Sequence, residues 1–116
     1  MALAYQEYYT LNDYQDWEGE WELIEGMPYA MAPSPTVTHQ TVSFNIATNI
    51  KEQFNNENGG CDKCCILMET DWYVSNDTVV RPDVMVVCQS VDEKVMVTPE
   101  VVVEIVSTSS TKRDEV

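Results

Sequence analysis

The chain has 116 residues and sets 20 acidic against 6 basic side chains, a net charge of -14, which suits one compact domain, 1–116, and leaves no room for a second. Its 44% apolar residues suffice for a core, no run approaches the ~18 apolar residues of a membrane span, and residues 1–5 lack the basic start of a secretion signal, so disorder, membrane insertion and export are not expected. No Lys or Arg precedes Lys51, so the field repels a polyanion and any nucleic-acid role needs bound cations; the bland reading of the charge is solubility.

Thr10 can cap a first short helix, with Leu11, Tyr14 and Trp17 on one face and an end near Glu18-Gly19. Residues 20–24 and 27–31 flank Glu25-Gly26 and predict a hairpin, placed at a sheet edge because Pro28 lacks a ladder N–H. After Pro33-Ser-Pro35, Thr36 or Thr38 caps a longer helix whose Val42, Ile46, Ile50 and Phe54 recur every fourth position, stopping around Asn55 to Asn58 with Gly59-Gly60 as its left-handed end. Residues 64–74 read as extended, with Ile66, Met68, Thr70, Trp72 and Val74 on one face, Glu69 and Asp71 on the solvated other, and a turn at Asn76-Asp77. Residues 79–88 and 101–106 are apolar runs of the kind found in central strands covered on both faces, joined by an exposed loop over 90–99. The order predicts an α/β or α+β core, a mixed sheet with a helix packed on it.

Cys61, Cys64, Cys65 and Cys88 offer one CxxC spacing but no second knuckle, so reduced thiols are expected in preference to zinc. Trp17, Trp21 and Trp72 are assigned to core filling in preference to base stacking. Lys112-Arg113 is the one adjacent basic pair and reads as a solvated loop before a phosphate contact.

Chemistry is concentrated in two acids. Glu104 sits within Val101-Val-Val-Glu-Ile-Val106 with no polar neighbour, and taking an unpaired carboxylate out of water costs several kcal/mol that a cation, a metal or protonation must recover. Asp83 opens the preceding apolar strand directly after Arg81-Pro82. If the two strands are neighbours, both carboxylates meet as hard oxygen ligands for magnesium; alternatively Arg81 simply pairs with a strand-end aspartate.

The run Glu22-Leu-Ile-Glu-Gly26, then Pro33-Ser-Pro35, His39 opening a helix, Arg81-Pro-Asp83-Val, Pro99-Glu-Val-Val-Val-Glu104-Ile-Val-Ser107 and Thr111-Lys-Arg-Asp114 closely resembles the Uma2 family, formerly a domain of unknown function. The resemblance covers nearly the whole chain. It implies the restriction-endonuclease-like PD-(D/E)XK superfamily: a mixed central sheet with flanking helices and a divalent-metal-dependent endonuclease activity, with Asp83 and Glu104 holding Mg2+ or Mn2+. His39 and Glu22 also fall at family motif positions and join the catalytic set, His39 as ligand, base or cap.

The resemblance further implies nucleic acid as substrate, DNA first, no membrane, a homodimer across an exposed sheet edge, and a bacterial cytoplasm. The motif lysine is absent two residues beyond Glu104, where Val106 stands, and the family's lysine is expected a few residues after Asp114. A C-terminal helix and strand are therefore expected to be missing and this chain to be catalytically incomplete. The competing function is a non-catalytic acidic module that binds a basic protein partner.

Overall fold

The computed structural model describes residues 7–55 and 63–106. Gly59-Gly60, Cys61, Lys112-Arg113 and Asp114 lie outside the described residues. The elements run α1 (Leu11–Tyr14), β1 (Trp21–Ile24), β2 (Met27–Ala30), α2 (Val37–Asn55), β3 (Cys65–Met68), β4 (Trp72–Ser75), β5 (Thr78–Val80), β6 (Val84–Val87) and β7 (Val101–Val103). This is an α+β fold with two antiparallel sheets, β2-β1-β5-β4 and β3-β6-β7. Among the described residues the expected mixed character survives only as one parallel bridge, Trp72 to Val95.

The first hairpin forms where the sequence puts it. Glu25 and Gly26 both adopt positive φ, 48° and 82°, the requirement of a two-residue type I′ turn, and β2 with Pro28 is the edge strand. Gly26 is obligatory for a second reason, since a Cβ there would run into the Tyr8 ring. Helix α1 is shorter than expected: beyond Tyr14 the chain tightens, with Asp16 and Trp17 donating to carbonyls three residues back.

Residues 64–74 and 79–88, expected as two continuous strands, each break once. Met68 pairs with Val84 and Trp72 with Val80, so one register runs straight through the break. The four strands β3 to β6 are therefore a single long hairpin, bent at Glu69–Asp71 on one arm and Arg81–Asp83 on the other, whose halves join different sheets. Pro82 has no N–H for a ladder and Glu69 turns left-handed at φ 50°, which bends both arms at the same level. At the tip, Asp77 receives hydrogen bonds from Tyr8, Ser75 and Thr78, and that from Tyr8 above all holds its carboxyl below the usual value of 3.8.

The core follows from this bend. Leu23 and Val79 are fully buried at the centre of the first sheet, and all of β6, Val84 to Val87, is buried in the second. Met85 and Val87 pack with Val95, against which Trp72, Val91 and Val97 close. The 90–99 connection is thus not the wholly exposed loop expected: its valines fold back on the core, while Asp92, Glu93 and Lys94 stay in solvent.

Helix α2 begins with Thr36, whose Oγ1 accepts the His39 N–H at 3.1 Å, and packs on β3. Its most buried residues are Ser43 and Ala47, with Ile46, Ile50 and Phe54 beside them and Val42 outside. The strict fourfold spacing drifts off a 3.6-residue turn, which rotates Val42 away.

Two further expectations are corrected. Strand β7 is not a covered central strand but the three-residue edge of its sheet, with Val101 and Val102 exposed. Cys64 and Cys88, opposite each other at the end of β3 and β6, form a disulfide, and of the described cysteines only Cys65 is a free thiol. Trp17, Trp21 and Trp72 are all half-buried, and Trp72 packs against the core as expected.

Candidate metal centre

Asp83 stands at the mouth of β6, set there by the buried Pro82. One carboxylate oxygen, Oδ1, lies 3.1 Å from His39 Nε2, and the other, Oδ2, accepts the Ile105 N–H at 2.7 Å. An ionised carboxylate only accepts, so the hydrogen in the His39 contact belongs to Nε2. His39 Nδ1 is buried with no hydrogen-bond partner among the described residues. Both side chains are mostly sheltered, 14% and 17% exposed.

Glu104 follows β7 directly. Val84 pairs with Val103, so the register continued by one rung sets Asp83 opposite Glu104, where directly opposed residues share a face. The two acids singled out by sequence are therefore neighbours across antiparallel strands. Burial is not what distinguishes Glu104, however: it lies past the end of the strand and is exposed.

Glu22 does not line this cleft. Its Oε2 accepts the Arg81 backbone N–H at 2.8 Å, which clamps the Arg81-Pro82-Asp83 bend from β1. Arg81 in turn binds Asp71 through Nε at 2.8 Å and Glu20 through Nη1. Burial alone lowers its pKa, but the hydrogen bonds to Asp71 and Glu20 more than reverse this, so it stays a firm cation. The structure thus pairs Arg81 with Asp71 and Glu20 rather than with Asp83.

The resulting cleft, about 250 Å³, is lined by Glu20, Glu69, Arg81, Asp83 and the 31–35 connection. Its one lining cation is already committed to two carboxylates, which leaves a surplus of negative charge. Among the described residues no group of three or more His, Cys, Asp or Glu is gathered to hold a metal.

A family model described as "Putative restriction endonuclease", Uma2, matches residues 5–116. The chain belongs to the Uma2 family. A solved structure, titled a "putative nuclease belonging to DUF820" from Anabaena variabilis, superposes with a TM-score of 0.71 at 18% identity, over 91% of this chain and 64% of that one. The fold is thus that of this neighbour, and the Uma2 chain spans 64% of its length. No curated protein matches.

One further acid lines this Uma2 cleft: Glu69, exposed as its solvated-face reading has it but not singled out there as a site residue. Its backbone N–H donates to the Asp83 carbonyl at 3.2 Å, and the register of β3 with β6 places it opposite Asp83 on the side away from Glu104. Glu69, Asp83 and Glu104 therefore each lie one position beyond the last paired rung of the three-stranded sheet, Met68, Val84 and Val103. Counting outward from the Asn76-Asp77 turn would put Thr70 there. A register shift between Tyr73 and Ser75 moves the pairing by one residue and brings Glu69 instead.

The donor set fits a hard divalent cation. Its oxygens are carboxylates, and each Asp83 oxygen keeps a second lone pair beside its present hydrogen bond. Magnesium takes one or two protein carboxylates and retains water on its other positions, so it requires no preassembled cage of three.

Proposed function

We propose that this chain holds Mg2+ or Mn2+ through Asp83 and Glu104, the metal site of an endonuclease that hydrolyses phosphodiester bonds of nucleic acid, DNA in the first instance, left catalytically incomplete here because Val106 stands where the motif lysine would. The observation that supports the reading is the pairing register, whose last rung, Val84 with Val103, is followed on one strand by Glu104 and preceded on the other by Asp83, at the edge of a negatively charged cleft lined by Asp83. A bound divalent cation supplies Lewis-acid polarisation of a phosphoryl oxygen and of a nucleophilic water.

The chain's own residues supply position. His39 Nε2–H and the Ile105 N–H fix the two oxygens of Asp83, so the carboxylate keeps one orientation. Glu22 and Pro82 hold the bend that aims it. In this arrangement Glu22 is a positioning residue, and His39 orients a ligand instead of capping the helix, a role its backbone partner Thr36 fills. The exposed valines of edge strand β7 offer a surface for a second copy.

The test is calorimetric titration of Mn2+ into the chain beside Asp83→Asn and Glu104→Gln, with thermal melts as folding controls. Binding in the parent that is lost in both variants supports the site. A folded parent that binds no Mn2+ overturns it and favours the non-catalytic acidic module, for which the existing hydrogen bonds of Asp83 already suffice.

A further inference from the structure

A second cleft, sharing no lining residue with the acidic one, has a volume of about 400 Å³ and is walled by Tyr9, Trp17, Trp21 and Pro28, with Asp16 and Glu18 in its lining. Its construction is local. The tight turn after α1 carries Trp17 forward, and Gly19 at φ 89° reverses the chain so that Trp21 Nε1 donates to the Glu18 carbonyl at 2.8 Å. The Tyr9 hydroxyl donates to Glu7 at 2.9 Å. The rings of Trp17 and Trp21 then meet at 5.8 Å and 62°, and those of Tyr9 and Trp17 at 5.3 Å and 79°.

Trp17 also meets Tyr14 at 5.7 Å on its inner side, while the three rings stay half-buried along the cleft. Its volume falls in the roughly 300–1,000 Å³ range of small-ligand sites. The aromatic faces carry negative quadrupole charge and attract cations. The lining holds no Lys or Arg, and neither Asp16 nor Glu18 takes part in an ion pair among the described residues. A nucleotide would bring phosphate against two carboxylates, and a neutral apolar ligand would leave their charge unused.

We infer that this cleft binds an organic ammonium ion, an alkylated amine whose charge lies against Tyr9, Trp17 and Trp21 while Asp16 and Glu18 neutralise it. The same chemistry is presented by a free quaternary amine and by a methylated lysine side chain. Commitment is to the cation, and the probes below separate its sources.

Tryptophan fluorescence is titrated with choline, with its neutral isostere 3,3-dimethylbutanol, and with peptides carrying trimethyllysine or lysine, at constant ionic strength. The same series is run on an Asp16→Asn, Glu18→Gln double variant, whose exposed substitutions leave the melting temperature unchanged. Choline is expected to bind about tenfold more tightly than the isostere and to lose about tenfold in the double variant. A trimethyllysine peptide that outbinds choline identifies a protein source, and the reverse identifies a free amine; both support the site. Equal binding of choline and isostere, an unaffected double variant, no saturable change in a folded chain, or saturation by a mononucleotide but not by choline would each overturn it.

Discussion

Asp83 is gripped by two donors, His39 Nε2–H and the Ile105 N–H, in a setting only 17% exposed, so its side chain has a structural task besides any metal. Asp83→Ala leaves both donors without an acceptor, and a part-buried unsatisfied donor costs about 1–3 kcal/mol. Asp83→Asn keeps one amide oxygen and should recover part of that loss. Urea denaturation of the two variants checks the order Asp > Asn > Ala; equal stabilities would show that neither hydrogen bond matters. The Tyr14 hydroxyl is a second case, donating to Asp71 Oδ2 at 2.8 Å with the Trp21 carbonyl at 3.0 Å. Burial first, and then the Asp71 hydrogen bond, raise its pKa well above 10.0, and Tyr73 shifts the same way. A phenol that holds its proton more tightly when folded contributes stability in full below pH 10.0, and loses it as pH rises through the raised folded value. Melting temperatures should therefore fall above about pH 10, and Tyr14→Phe should flatten that decline while costing about 1 kcal/mol at neutral pH.

At the level of elements, the bent hairpin β3 to β6 explains why so much of the fold was legible and where it stopped being so. Alternation and apolar runs gave its two arms, the Asn76-Asp77 turn and the strand ends, because those depend on local period and turn chemistry. The bend was hidden: Pro82 was visible as a strand opener, yet nothing local announces that Glu69 turns left-handed or that the pairing slips between Tyr73 and Ser75. The same limit applies to the site. Asp83 and Glu104 could be singled out as acids in apolar runs, but Glu69 belongs to them only through a register that forms across the whole hairpin. Glu104 itself was selected by a burial argument that the strand end defeats. Two substitutions test these elements. Gly26→Ala forces an L-residue to φ 82° and drives a Cβ into the Tyr8 ring, so it should cost at least about 1–2 kcal/mol and loosen the Tyr8 hydrogen bond to Asp77. Joint replacement of Cys64 and Cys88 by Ser removes a crosslink spanning 24 residues and should cost about 3 kcal/mol, with thiol titration of the unfolded parent before and after reduction confirming the bond.

Over the whole molecule the dominant fact is charge. With a net of -14 on 116 residues the folded chain repels itself, and compaction should be helped by any cation in solution. Two effects of cations must then be separated. Monovalent salt screens exposed charges within a Debye length of about 10 Å at 0.1 M, acts on every carboxylate alike, and should raise the melting temperature gradually in the parent and in Asp83→Asn. A divalent ion held by Asp83 and Glu104 acts by mass action instead, adding about 2.7 kcal/mol of stability at one hundred times its dissociation constant, with a saturating dependence on concentration. At fixed ionic strength the parent should therefore show a saturable rise in melting temperature with Mn2+ that Asp83→Asn lacks, while the two keep parallel responses to NaCl. Parallel responses to both salts would mean that the molecule reads divalent cations only as charge, and that the acids on the Asp83 rung are not a metal site.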